Sequence, residues 1–174
     1  MTQTCNGSTA DENWAPTYLI YKRITGLTPA ALMTQISIDM HTTGTCKIKM
    51  GVYTDAPDNP STLLEQVESG EFTITGYETK SLSLSGSTAV PANGIIWIAV
   101  IANIEAPSFR AHAEASGSGE YSVYAADSTP SGRWTNYANN LYATAPISGD
   151  SEMNIRACVT TSLPPFRAWI MGNS

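Results

Sequence analysis

The sequence predicts an all-β chain folded as one antiparallel β-sandwich of about eight strands, and three observations carry that expectation. Apolar and polar residues alternate with period two in segments that recur every ten to fifteen residues or so, separated by clusters of Gly, Pro, Asn and Asp. Charged residues make up only 14% of the 174-residue chain, too few for long solvated helices, whose exposed faces need Lys and Glu. A chain of 18.6 kDa is long enough for one domain with a sizeable core and short for two. The expected organisation is an amino-terminal arm over 1–13, a sandwich over 14–161 and a carboxyl-terminal arm over 162–174.

Taken in order, TYLIYKRI places Tyr18, Ile20 and Ile24 on one strand face. Pro29, just after Thr28, stands at the first position of a short helix candidate, PAALMTQ. QISIDM aligns Ile36, Ile38 and Met40, and TCKIKMGVY aligns Cys46, Ile48, Met50 and Val52. The turn DAPDNP follows, and its prolines and Asx residues predict that no regular element runs through it. In TLLEQVE, Thr62 and Glu65 have capping-box spacing, and Leu63, Leu64 and Val67 fit a helical stripe, which predicts one helical turn. FTI points Phe72 and Ile74 inward, and SLSLS does the same for Leu82 and Leu84. Pro91, Ala92, Asn93 and Gly94 then turn the chain into GIIWIAVIA. That segment is apolar on both faces, so it belongs at the centre of a sheet with both faces covered. FRAHAEA, YSVYAAD and MNIRACV complete the strands, the last aligning Ile155, Ala157 and Val159, while EASGSGE and TPSGRWTNYANN read as exposed loops. The expected core comprises Ile20, Ile36, Ile38, Ile48, Met50, Val52, Phe72, Ile74, Leu82, Leu84, Trp97 and Ile155.

Charge excludes one class of partner. Nine basic against fifteen acidic residues give a formal charge of -6 without any basic run, so no nucleic acid is expected to bind. The longest apolar stretch, Ile95 to Ala102, falls far short of the ~20 residues of a membrane-spanning helix, so no membrane insertion is expected. The opening MTQTCNGSTADENW lacks the basic and apolar regions of a secretory signal. Cys5, Cys46 and Cys158 match neither a zinc pattern nor a disulfide framework and read as small buried apolar residues, with a bridge from Cys5 to another chain as the alternative.

Two long stretches carry a resemblance. In KIKMGVYTDAPDNPSTLLEQ a strand ends in Gly-Val-Tyr-x-Asp and a Pro-rich turn leads to a Leu-Leu pair; in FTITGYETKSLSLSGSTAVPANGIIWIAV a Leu-x-Leu strand and a Pro-Ala-Asn-Gly turn feed a Trp-containing strand. With the closing MNIRACV, the run from about Trp14 to Val159 resembles a jelly-roll-like β-sandwich module of phage and viral head or tail fibres, capsid decoration proteins and large bacterial surface proteins. The resemblance implies a jelly-roll-like sandwich. It specifies a fold more than a function, because such modules serve as fibre domains, decorations, adhesins and carbohydrate-binding attachments.

The chemistry-bearing residues are sparse. His41, in the turn HTTGT, and His112, on a polar strand face, have no sequence-local nucleophile, and no cofactor fingerprint is present, so neither an enzyme nor a cofactor is expected. Asp55, Asp58 and Asn59 crowd oxygen ligands into one turn, as calcium needs, but EF-hand spacing is absent, prolines interrupt the loop, and turn formation alone explains them, so no metal is expected. Trp134, Asn136, Tyr137, Asn139 and Tyr142 combine flat aromatic faces with amides, the pairing that holds a glycan. In the carboxyl-terminal arm Phe166, Trp169, Ile170 and Met171 follow Pro164-Pro165 and offer assembly contacts to a neighbouring subunit. The expected function is a non-enzymatic virion structural protein, a capsid decoration or a fibre or spike block on the virion surface. Its partners would be further copies of itself, other virion proteins and a cell-surface glycan. The alternative is a carbohydrate-binding or adhesin module of a secreted or surface protein, which is extracellular.

Overall fold

The strands pair in antiparallel ladders that build two large sheets and one small pair. In the computed structural model, which describes residues 2–6, 12–14, 19–41, 43–57, 59–103, 108–112, 122–125, 147–148, 152–153 and 155–161, fifteen strands and no helix occupy the described residues. They are β1 (Thr2–Asn6), β2 (Glu12–Trp14), β3 (Leu19–Ile24), β4 (Leu32–His41), β5 (Thr43–Cys46), β6 (Ile48–Ala56), β7 (Asn59–Glu68) and β8 (Phe72–Thr75). β9 (Glu78–Ser83), β10 (Ile96–Ala102), β11 (Ser108–His112), β12 (Ser122–Ala125), β13 (Ile147–Ser148), β14 (Glu152–Met153) and β15 (Ile155–Thr161) follow. The count exceeds the expected eight or so because several strands have only two to five residues, too few to leave a period-two signal.

A seven-stranded sheet runs β1-β15-β4-β11-β14, with β2 on β11 and β9 on β4; a six-stranded sheet runs β13-β12-β3-β10-β6-β7; β5 and β8 form a separate pair. All ladders are antiparallel. The two large sheets share one core. Ile36, Ile38, Met40, Phe109 and Ile155 from the first pack in a single cluster with Ile20, Ile48, Met50, Val52, Ile98 and Val100 from the second, which makes the architecture a sandwich. Each such side chain taken out of water contributes about 1.5–3 kcal/mol.

β10 lies between β3 and β6 and is buried along its whole length, as its two apolar faces require. Ile96, Ile98, Val100 and Ala102 face the inter-sheet core, and Trp97, Ala99 and Ile101 face a second cluster with Leu19, Tyr21 and Tyr53. Trp97 is therefore buried, but on the opposite face of the sheet from the other expected core residues, because strand period two sends it the other way from its Ile neighbours. Phe72 is only partly buried and packs at the edge of the main cluster. The turn into β10 is as expected: Gly94 N–H donates to Pro91 O at 2.9 Å. Gly94 has φ +68°, and a Cβ there would meet Leu27 O at 2.6 Å, so both the backbone and the space require glycine.

Four local expectations are corrected. The TLLEQVE segment is not a helical turn but part of β7, paired along β6. The ladder shifts register between Val52 and Tyr53, so Leu64 has no facing residue; Val67 packs on the main core and Leu63 on the second cluster, and this break in parity is what mimics a helical stripe. PAALMTQ is a turn at Pro29-Ala30 leading into β4, with Ala30 N–H held by Val90 O at 3.0 Å; sheet pairing overrides a helix too short to stand alone. Strands run into the DAPDNP turn from both sides, Ala56 pairing with Asn59, because the hairpin needs only two residues at its tip. Finally, Cys46 is free and buried as expected, but Cys158 is disulfide-bonded. Cysteine spacing does not reveal which strands the fold makes neighbours. The segment read as an amino-terminal arm contributes β1 and part of β2 to the seven-stranded sheet.

Candidate functional site

The outer face of the seven-stranded sheet, away from the core, is polar. β4 presents Gln35, Ser37, Asp39 and His41 there, since Ile36, Ile38 and Met40 point inward. β9 lays Ser83, Ser81 and Thr79 opposite Gln35, Ser37 and Asp39, and all three are exposed. On the other edge of β4, β15 places Arg156 opposite Ser37, and β11 places Ser108 opposite His41. A row of hydroxyls with the Gln35 amide and the Asp39 carboxylate thus borders two guanidinium groups, those of Arg156 and Arg110.

Tyr77 stands at the end of this row. The β4–β9 ladder pairs Met40 with Glu78 and the β5–β8 ladder pairs Thr43 with Thr75, so one continuing register sets Tyr77 opposite His41. Pairing is interrupted at Gly76, whose φ of +148° is open to glycine, and the bend releases Tyr77 from the ladder. Its ring lies 4.1 Å from the His41 ring, tilted by 34°, and Arg110 Cζ lies 4.6 Å from the Tyr77 centroid. His41 and Arg110 belong to the neighbouring strands β4 and β11. Tyr77 nevertheless keeps 66% of its surface exposed, which a ring sandwiched on both faces would not; it is the most exposed large apolar side chain among the described residues. The Arg110 guanidinium against the ring restrains its orientation by attraction to the π-face, while most of the residue's surface stays exposed.

Beside the ring, Thr79 Oγ1 donates to Asp39 Oδ1 at 2.6 Å, and Arg156 Nη2 pairs with Asp39 Oδ2. Arg156 Nε is buried and has no hydrogen-bond partner among the described residues, so this guanidinium is held by Asp39 through Nη2. The arrangement therefore offers an exposed aromatic side chain adjoining the exposed hydroxyls of Thr79, Ser81 and Ser83. These suit a ligand with apolar C–H faces and a rim of hydroxyls.

Compared with protein-family models, curated proteins and solved structures, the chain matches none.

The sequence singled out other residues. Trp134, Asn136, Tyr137, Asn139 and Tyr142 lie outside the described residues, as do Phe166, Trp169, Ile170 and Met171 of the carboxyl-terminal arm and Asp58 of the Asx-rich turn. Asp55 is turned to the sheet: Oδ1 accepts from Trp97 Nε1 at 2.8 Å and from Arg23 Nε at 3.2 Å. Asn59 Nδ2 donates to Pro57 O at 3.2 Å, so both residues serve the hairpin and its neighbours. Among the described residues no group of three His, Cys, Asp or Glu is placed to hold a metal ion. His41 is not an exposed turn residue but the last residue of β4, half-buried against Tyr77, because the strand runs one residue further than its apolar alternation. His112 ends β11, opposite Glu152. Tyr77, Arg110 and Arg156 were not singled out from the sequence. The signal for Tyr77 was an aromatic directly after a glycine between two strand segments, in FTITGYETK.

Proposed function

We propose that this chain is a non-enzymatic β-sandwich protein of a virion exterior, a capsid decoration or fibre block with jelly-roll-like architecture, and that the Tyr77 platform binds glycans. The virion part of the proposal rests on the resemblance of the KIKMGVYTDAPDNPSTLLEQ and FTITGYETKSLSLSGSTAVPANGIIWIAV stretches to fibre and decoration modules. The binding part rests on one observation: a tyrosine ring 66% exposed, backed by His41 and Arg110, at the end of an exposed row of Thr79, Ser81 and Ser83. A pyranose ring stacks its C–H face on such an aromatic and points its hydroxyls at such a row. The carbohydrate-binding or adhesin alternative shares this site and differs in location, off the particle.

The test is retention of the full-length chain on an immobilised glycan array, with Tyr77→Ala beside it. The proposal expects selective retention of the wild-type chain and a loss of about tenfold or more for the variant, equivalent to roughly 1.4 kcal/mol. No retained glycan, or equal retention by both proteins, overturns it. Antibody labelling of the outside of intact particles separates the virion reading from the adhesin one.

A further inference from the structure

The chain has three cysteines. Cys46 is free and buried in the core, and Cys158 is disulfide-bonded. The residue directly opposite Cys158 on the adjoining strand is Cys5, the one cysteine left to complete a bond within the chain. We propose that Cys5 and Cys158 form an oxidation latch, which fastens the first strand of the sandwich to its last once the protein reaches an oxidising environment.

The position of β1 gives the latch its work. β1 ends the seven-stranded sheet and, among the described residues, pairs with β15 alone, over the five register positions Thr2–Thr161 to Asn6–Ala157. Its sequence, TQTCN, contains no large apolar side chain that would anchor it by burial. A short edge strand held by backbone pairing opens at low free energy. By contrast β15 is pinned: Ile155, Ala157 and Val159 lie in the core, and its other edge pairs with β4. A covalent bond from β15 to Cys5 therefore transfers the stability of the core to a strand that lacks its own. With the bond open, the edge of β15 from Ala157 to Thr161 loses its cover and becomes available to another strand.

Closure is thiol–disulfide exchange with a low-molecular-weight disulfide, RSSR. One cysteine thiolate attacks RSSR, forming a mixed disulfide and releasing one RS⁻. The second thiolate displaces the other RS⁻ and forms the internal S–S bond. Two protein thiols are oxidised, one RSSR is reduced to two RSH, and the two thiol protons pass to the leaving thiolates. A glutathione-reduced cytosol disfavours this step and an exterior medium favours it, so the latch closes after export or release.

Peptide mapping of the untreated, full-length protein, alkylated after denaturation, tests the connectivity. The expected result is a linked pair of peptides carrying Cys5 and Cys158, with alkylation of Cys46 only. Alkylated Cys5, or a bond joining two chains, overturns the proposal. Hydrogen exchange of the same protein with and without a phosphine reductant tests the latch. Amides 2–6 should lose protection by about tenfold or more on reduction while those of β4, β6 and β10 keep theirs. Unchanged protection of 2–6, or its loss throughout the chain, overturns the proposal. Cys5→Ser should match the reduced wild type, and if that variant does not fold, the reduced wild-type chain decides.

Discussion

Trp97 donates its indole N–H to Asp55 Oδ1 at 2.8 Å, joining β10 to β6 on the face away from the main core. Arg23 of β3 reaches the same oxygen at 3.2 Å, so one carboxylate ties together three adjacent strands of the six-stranded sheet. Asp55 and Arg23 side chains are only 8% and 14% exposed, which places this contact well above an ordinary surface ion pair.

Asp55→Ala leaves an indole N–H and a guanidinium without that acceptor, and should cost about 2–3 kcal/mol of stability in denaturant unfolding. Asp55→Asn keeps Oδ1 as an acceptor and should recover part of the loss.

Ile48 is fully buried at the centre of the inter-sheet core, whereas Leu64 stands outward at the β7 register shift. Ile48→Ala should cost about 2–5 kcal/mol. Leu64→Ala should change stability by no more than about 0.5 kcal/mol. Unfolding curves of the two variants side by side check the face assignment of both strands.

Glu65 gives a pH dependence. Burial pushes its carboxyl up, but hydrogen bonds from Thr88 and from Ser85 outweigh it and hold the group below the ordinary carboxylate value. A depressed pKa in the folded state means that the contribution is complete above the unfolded value and is lost as pH falls through the folded one. Unfolding free energy measured from pH 7 to about 3 should therefore fall more for the wild type than for Glu65→Gln, which has no proton to gain.

Cys46 should be inert. Its thiol is buried, and desolvation pushes its pKa up to about 11, against a smaller lowering by Lys80. Thiolate is the reactive form, so at pH 8 an alkylating reagent should modify Cys46 only as fast as the chain opens. The check is mass spectrometry over time with and without denaturant.

Much of the fold was legible because period-two alternation is a property of single segments: Ile36, Ile38 and Met40, or Ile48, Met50 and Val52, declare an inward face without reference to the rest of the chain. The failures occur where a neighbouring strand decides. The register shift at Leu64 and the extra residue at Thr34, which puts Met33 back on the core side, are answers to a partner's pairing. The side of β10 on which Trp97 sits was legible in principle from the same alternation that placed Ile96 and Ile98. The candidate site was not legible, since Tyr77, Arg110 and Arg156 lie far apart in sequence and meet only through the order β9-β4-β11 and β15 against β4.

The most direct measurement is the map of amide and aromatic NMR shifts of the full-length chain when titrated with the glycan it retains most strongly on an array. The glycan-binding account predicts saturable shifts at Tyr77, Thr79, Ser81, His41 and Arg156, and none along β7 or β10. Shifts confined to other faces of the sandwich, or no saturable shift at the Tyr77 ring, would contradict it.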